Sequence, residues 1–564
     1  MHNTIPAPPC FSRPPKISLV ALFALLAMCA NNAQEPATGS VAGRVYNPAS
    51  DTYVRDAEIT VDGASSATLS GEGGYYRIDN LPAGDVTLVL RYTGARTGRF
   101  IVNIVPGATA RQELTLLAET ASAQNARGEI VLLDQFVVIG EREGNAKAIM
   151  EQKNSINSKT VMATDTFGYV TGGNMADFLQ YMAGITMDFD DEDAQSARIH
   201  GLDPRYLGAT LDGGALATSS AGGVGATRRF TFDQLSSNNI EAIEVSKINT
   251  ADQNADASAG TINFRSKSPL DRKRTHFKWE TSVNASSKAM RLGSTSGPGD
   301  GDHHKILPGG SLDFSTVTLS GKLGLLLTAG QDNKYGKTDT YINDYVYPAV
   351  PLEATMPGYP VMRAVTFRSD ERITRRSHAS LGADWQPLPE LRISLRTQWT
   401  DTKQDQHQRS LRLYTVVSGL DPSSTHIYFR TDRGYVYVSG ASYVRDVEEF
   451  IVKPSFTYKK GAFNIDGGVM FSNSRTDMTD LANGHPYSVS ARMTNIPIAM
   501  SRANTNSTAW NLATHADIYN LENYNNSYAN DVRVRPQEMR EDVYDGAFNV
   551  KWTAPWSVPT SFKA

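Results

Sequence analysis

From Thr275 onward, apolar and polar residues alternate over long stretches. Leu391, Ile393, Leu395, Thr397 and Trp399 fall on one face, and Arg392, Ser394, Arg396, Gln398 and Thr400 on the other. A period of two is that of a β-strand. Ala379, Leu381, Ala383 and Trp385 repeat the pattern upstream, and Pro387-Leu-Pro-Glu390 supplies a short turn between the two runs. Lys459-Lys-Gly461 does the same between the strand ending Phe456-Thr-Tyr458 and that of Phe463, Ile465, Val469 and Phe471. At the other end stand long polar stretches rich in Asn, Ser and Thr, such as Met478 to Pro536, which read as loops. Long strands, tight turns at one end and long loops at the other predict a transmembrane antiparallel β-barrel wall, one face against lipid and the other in water.

Two other textures precede it. From Gly39 to Leu117, alternation at Val86, Leu88 and Leu90 and the turn signals Gly71-Glu-Gly-Gly74 and Leu81-Pro-Ala-Gly84 predict short antiparallel strands at sandwich spacing. From Ser196 to Pro269, short β-branched patches (Ala209 to Leu211, Ile243 to Val245, Thr261 to Phe264) between glycines and Asp/Asn turns predict a small, tightly folded sheet. A polar linker, Ala118 to Glu129, and an apolar strip, Ile130 to Gly140, lie between these two units.

At 564 residues the chain is too long for one ordinary domain. A hydrophobic share of 40% and a mean hydropathy of -0.35 exclude a helical membrane protein but permit a barrel, whose strands need one apolar face. A net charge of -4 gives no basic excess for nucleic acid, which is not expected as a partner. Arg13 and Lys16, then the apolar run Ile17 to Ala30, then Asn31-Asn-Ala33 predict a signal peptide over 1–33, cleaved after Ala33. Met28 stands where a small residue should precede a lipidated cysteine, so plain cleavage is preferred to lipidation at Cys29. Both cysteines, Cys10 and Cys29, lie in this leader, so the mature chain is expected to have no thiol and no disulfide.

In order along the second unit and just before it come Asn174-Met-Ala-Asp-Phe-Leu179, Ala183-Gly-Ile185, His200-Gly-Leu-Asp203, Leu211-Asp-Gly213, Ile243-Glu-Val245 and Ala259-Gly-Thr-Ile-Asn263. This series resembles the plug domain of TonB-dependent outer-membrane receptors. The resemblance implies a mainly β chain: a sandwich over 39–118 resembling a carboxypeptidase-regulatory-like domain, an α+β plug over 155–269, and the N-terminal part of an outer-membrane barrel over 275–564 with its short turns periplasmic. It also implies a TonB box within 130–140, carried by Asp134, Gln135, Phe136, Val137, Val138 and Ile139. An apolar strip with unpaired backbone groups can add as a strand to a partner's sheet; alternatively it is the last strand of the sandwich. One departure stands out. Where the family has Arg before the glycine, this chain has His200, which puts any plug-to-barrel salt bridge carried by that arginine in doubt. His200 itself reads as a hydrogen-bonded histidine on a sheet, with a pH-sensitive contact as the alternative.

Gly330 to Thr338 fails as a phosphate loop, because five residues rather than four separate its glycines; it reads as a strand running into an outer loop. The acidic run Asp188, Asp190, Asp191, Glu192 and Asp193 reads as a solvated plug loop rather than a cation site, and His303-His304 as part of a Gly- and Ser-rich loop. With no HExxH and no Gly-x-Ser-x-Gly, no enzyme, metal or cofactor is called for. Gly213 to Gly225 with Arg228-Arg229-Phe230 reads as a flexible plug loop. Either it lines a vestibule where Arg228 and Arg229 attract an anionic or hydroxyl-rich ligand, or it is only the segment that moves. Arg205 and Tyr206, on the neighbouring Asp203-Pro204 turn, complete the candidate ligand-contact set.

The resemblance implies a receptor that binds a scarce large solute and imports it by energy-coupled plug movement. Its partners would be the inner-membrane TonB protein, outer-membrane lipid, a small or oligomeric solute and a surface lipoprotein. A non-transporting sensor or adhesin on the same scaffold is the alternative. Siderophore, cobalamin and oligosaccharide remain open as ligands, the sandwich favouring glycans. After Thr275 the pattern gives about eight strands, the last carrying Tyr544, Gly546, Phe548, Val550 and Trp552. A barrel enclosing a plug takes about 22 strands, so the chain is expected to be a fragment.

Overall fold

The structure, a computed structural model, describes residues 38–64, 66–118, 123–124, 130–131, 143–155, 157–164, 173–190, 193–219, 229–232, 235–250, 257–290, 292–293, 304–346, 361–414, 426–428, 434–504, 507, 509–524, 532–554 and 560–563. The predicted leader, residues Asp134 to Ile139, Arg228, Asp191, Glu192 and His303 lie outside them.

The first unit is a sandwich of short strands. β1 (Thr38–Asn47) pairs antiparallel with β3 (Tyr75–Pro82), while β2 (Glu58–Val61), β4 (Gly84–Arg91) and β5 (Gly98–Ile104) form the facing sheet in the order β2-β4-β5. Val41, Val45, Ile59 and Leu88 meet between the sheets with no exposed surface. The alternation at Val86, Leu88 and Leu90 points inward throughout.

A helix the sequence reading did not anticipate, α1 (Glu143–Asn154), follows. Ala146 and Met150, one turn apart, enter the sandwich core, while Ala148 packs on Val161 and Ala242 of the next unit. Residues four apart share a helix face, so α1 is a strut between two cores.

The next unit contains β6 (Lys159–Ala163), α2 (Ala176–Leu179), the hairpin β7 (Ile185–Asp190) and β8 (Asp193–Ile199), β9 (Leu207–Leu211), β10 (Ile240–Ser246) and β11 (Gly260–Ser266). Its central sheet runs β6-β10-β11-β9, with β9 and β11 parallel and the other two pairs antiparallel. Phe232 and Phe264 meet edge to face at 5.7 Å in a core shared with Leu179, Ile199 and Leu211. His200 is not on the sheet. It is exposed at a turn after β8, with φ of 53° at His200 and 75° at Gly201, and the Leu202 N–H closes the turn on the Ile199 carbonyl at 3.1 Å. Gly201 supplies the left-handed geometry, and His200 is carried into it.

The last unit is one large antiparallel sheet. Its strands are β12 (His276–Ala285), β13 (Ile306–Thr318), β14 (Leu323–Val346), β15 (Val361–Leu388), β16 (Leu391–Tyr414), β17 (Gly434–Lys460), β18 (Phe463–Met478), β19 (Ser488–Ile496), β20 (Gln537–Ala554) and β21 (Thr560–Lys563). Neighbours in sequence pair along the sheet, except that β19 extends the line of β18 along β17, and β20 pairs with β18. Among the described residues β12 and β21 are its edges. The two predicted short turns are present, after Leu388 and after Lys460. A 24-residue strand such as β14 reaches about 80 Å, far more than the 9–11 residues that cross a bilayer, so much of each strand stands clear of lipid.

Three sequence readings need correction here. The stretch Gly330 to Thr338 lies wholly inside β14. Residues 478–536 are not one loop: β19 and a hairpin of Ala499–Ser501 with Asn511–Ala513 lie within them, the alternation of Val489, Ala491 and Met493 being hidden by Ser and Asn neighbours. And the polar face of the sheet is not in water. Arg392, Arg396, Gln398 and Thr400 are all under 10% exposed, because the second unit packs on them, whereas Trp385, Ile393, Phe450 and Val469 on the other face are 39–60% exposed.

The sandwich core makes a direct prediction. Leu88→Ala should destabilise that unit by about 3 kcal/mol. Hydrogen exchange on the whole chain should show lost protection over 58–104 and unchanged protection over β10 and β11; uniform protection in both would contradict separate cores.

Candidate functional site

On α1, Lys147 and Glu151 share a face four residues apart, and both point into a buried cluster of charge. Lys147 Nζ lies 2.9 Å from Glu241 and 3.4 Å from Asp271. Glu151 takes Arg55 of the sandwich at 3.0 Å, Lys159 of β6 at 3.2 Å and Arg265 of β11 in a short contact. Arg265 and Lys159 each reach Glu244 at 2.7 Å, and Arg55 reaches Asp56 at 3.4 Å. Four bases thus meet five acids. Burial pushes the Glu151 carboxyl up to about 8. Burial works the same way on Glu244, but the hydrogen bond from Glu151 and the charge of Lys159 outweigh it and hold that carboxyl below its usual range. The cluster thus drives its two central carboxyls apart, Glu151 towards its neutral form and Glu244 towards its ionised one.

Beside it, the end of the plug unit is clasped. The Gly73 N–H donates to Asp271 at 2.9 Å, and Arg44 donates to the Leu270 carbonyl at 2.5 Å while its guanidinium lies 3.3 Å from the centre of the Tyr53 ring. Gly73 has φ of 65° with Arg44 and Tyr75 crowding its α-carbon, so a side chain there would meet both strain and collision. Glu72 pairs with Arg392 of β16 at 2.9 Å. Arg392 and Arg396 then grip Asp384 of β15 at 2.8 and 2.9 Å, and Arg396 donates to Ser266 at the end of β11. Sandwich, plug unit and sheet therefore meet at the short-turn end of the sheet.

Further along the strands, the plug unit leans on the sheet through isolated polar contacts. Asp193 takes Lys334 at 2.6 Å and Arg372 at 3.3 Å, and Ser219 bonds Ser474 and Thr476 at 2.7 Å each. The sequence alone puts the acidic run in solvent. Asp193 is instead 7% exposed, and Asp188 is held by Arg198 at 2.8 Å, which keeps that carboxyl below its usual range. Partners more than 130 residues away made Asp193 unreadable in sequence.

Of the predicted ligand-contact residues, Arg205 and Tyr206 sit together on a 3-10 turn, Pro204–Tyr206, capped by Asp203. Both are exposed, and Arg205 is held on Asp203 at 3.1 Å. Arg229 belongs to the same group, since its charge helps keep both Asp188 and Asp203 ionised. Its Nε is buried with no hydrogen-bond partner among the described residues. The sequence reading missed Arg55, Glu151, Glu244 and Arg265. The available signal was Glu244, an acid inside the apolar run Ile240 to Val245.

The raised Glu151 value fixes a sign. The folded carboxyl binds a proton that the released chain gives up, so stability is fullest below the ordinary value of 4.5 and declines as pH rises towards about 8. Thermal melting of the whole chain should show that decline, of the order of 1 kcal/mol or more, and Glu151→Gln should flatten it. An unchanged slope in the variant would place the titration elsewhere.

Residues 40–117 match the family model of the carboxypeptidase regulatory-like domain, and residues 151–261 that of the TonB-dependent receptor plug domain. No curated protein sequence matches the chain. Among solved structures, similarity extends to a mutant of the ferric enterobactin receptor PfeA from Pseudomonas aeruginosa, at 11% identity over 73% of this chain and 61% of that one, with a TM-score of 0.33. The siderophore receptor PirA from Acinetobacter baumannii matches at 11% identity over 74% and 81%, with a TM-score of 0.26. The unliganded ferric citrate transporter FecA matches at 14% over 71% and 68%, also with a TM-score of 0.26. The chain spans about three fifths of the length of the PfeA structure. The chain thus carries a carboxypeptidase regulatory-like domain followed by a plug domain of the TonB-dependent receptor kind.

Proposed function

We propose that this protein takes up a scarce, large solute across the outer membrane, with a periplasmic energising protein pulling on Asp134 to Ile139 to displace the plug. The observation that carries this reading is α1. It begins four residues after Ile139, within about 14 Å of extended chain, and is built into both the sandwich and the plug. Tension on the segment therefore loads the Glu151 cluster first. The sandwich, seated on the short-turn end, would stand in the periplasm beside the coupling protein.

The solute class we favour is hydroxyl-rich. The Arg229 guanidinium offers positive charge and the exposed Tyr206 ring a stacking face, while Arg205 is largely spent on Asp203. Arg228, outside the described residues, would add a second cation.

Strand addition depends on backbone hydrogen bonds, so Val137→Pro should abolish uptake and leave solute binding intact. Normal uptake by that variant would remove Asp134 to Ile139 from the coupling role. Replacing Arg228 and Arg229 with alanine should weaken solute binding by about 1 kcal/mol, roughly fivefold, without unfolding the sheet. An unchanged dissociation constant would limit both to structure. Solute binding with no energy-dependent uptake by the unaltered protein would favour a sensor instead.

A further inference from the structure

The outward face of the sheet carries more than its apolar band. Along β15, Phe367 shares a face with Leu381 and Trp385, whereas Arg372, Arg376 and His378 face the plug side and are buried. On the outward face, apolar residues extend from the short turns as far as Trp399, Phe450 and Tyr544. A polar belt follows, with Asp401, Lys403, Glu448 and Arg475. Beyond that belt, clear of any lipid, the same face holds a hollow of about 1000 Å³, roofed by Leu521 and Tyr524.

Its lining is of two kinds. Tyr341 and Phe367 stand 5.2 Å apart, tilted at 55°, and are 43% and 40% exposed, so their ring faces are open to a ligand. Around them lie Arg409 and a Ser369 hydroxyl that donates to Asp339 at 2.6 Å. Aromatic faces flanked by a carboxylate, hydroxyls and a guanidinium suit a ring with an apolar C–H face and an equatorial rim of hydroxyls. An acyl chain would leave those polar groups unpaired. A cavity of this size lies at the upper end of the range for ligand sites.

We propose that this hollow is an oligosaccharide-binding site outside the pore, holding the chain to surface or soluble glycan independently of whether the pore imports it. Two sources offer that chemistry: the sugar core of the bacterium's own lipopolysaccharide, and soluble polysaccharide fragments. The test is calorimetric titration of the detergent-solubilised chain with purified core oligosaccharide and, separately, with cello-, xylo-, manno- and malto-oligosaccharides. Binding in either arm is expected, and the arm that binds names the source. Phe367→Ala and Tyr341→Ala should each weaken that binding at least tenfold, and Phe367→Trp should retain it. No binding in either arm, or binding indifferent to Phe367→Ala and Tyr341→Ala, would overturn the proposal.

Discussion

The sandwich, α1 and the plug unit are tied together by the paired charges around Glu151. The cluster draws Arg55 and Asp56 from the sandwich, Lys147 and Glu151 from α1, and the rest from the plug unit. Buried ion pairs add little net stability, because desolvation cancels most of the attraction, yet removing one partner costs about 3–5 kcal/mol. Such a junction is indifferent in energy while whole and brittle once one member leaves. That would suit the proposed coupling, in which the strut holds at rest and gives way when the upstream segment is pulled.

The plug's hold on the sheet has the opposite character. Its contacts there are scattered: Asp193 on Lys334 and Arg372, Ser219 on two hydroxyls, Lys267 on Asp313. The hydroxyl contacts of Ser219 are worth about 1 kcal/mol each, whereas the buried Asp193 pairs cost more to break. Few apolar residues of the wall join the plug core; Ile451 and Met470 are the two in its cluster. A greasy seam would fix the plug permanently.

How much of this was legible depended on range. Where period-two alternation ran unbroken, as from Leu391 to Trp399, the strands lie where the pattern puts them, because face preference is a local property. The turn at Pro387 to Glu390 was equally local. α1 escaped notice because its apolar residues are few and divided between two surfaces: Ala146 and Met150 face one core and Ala148 the other, so no single stripe forms. β19 was hidden by its Ser and Asn positions. Arg205 and Tyr206 share one turn, where Asp203 commits Arg205, while the Asp188 that commits Arg198 comes from the facing strand of the hairpin. The burial of Asp193 and of the sheet's arginines depends on partners supplied by another unit, which spacing does not encode.

If tension on Asp134 to Ile139 displaces the plug as proposed, α1, built into both cores, has to leave the sandwich. Thr93 Oγ1 and Met150 Sδ are 3.1 Å apart across that contact, and the sequence contains no cysteine after Cys29. A chain carrying Thr93→Cys and Met150→Cys can therefore be locked and unlocked by oxidant and reductant. Energy-dependent uptake of solute should cease when the pair is oxidised and return on reduction, with binding equal in both states. Uptake at the full rate with the disulfide closed would contradict the account.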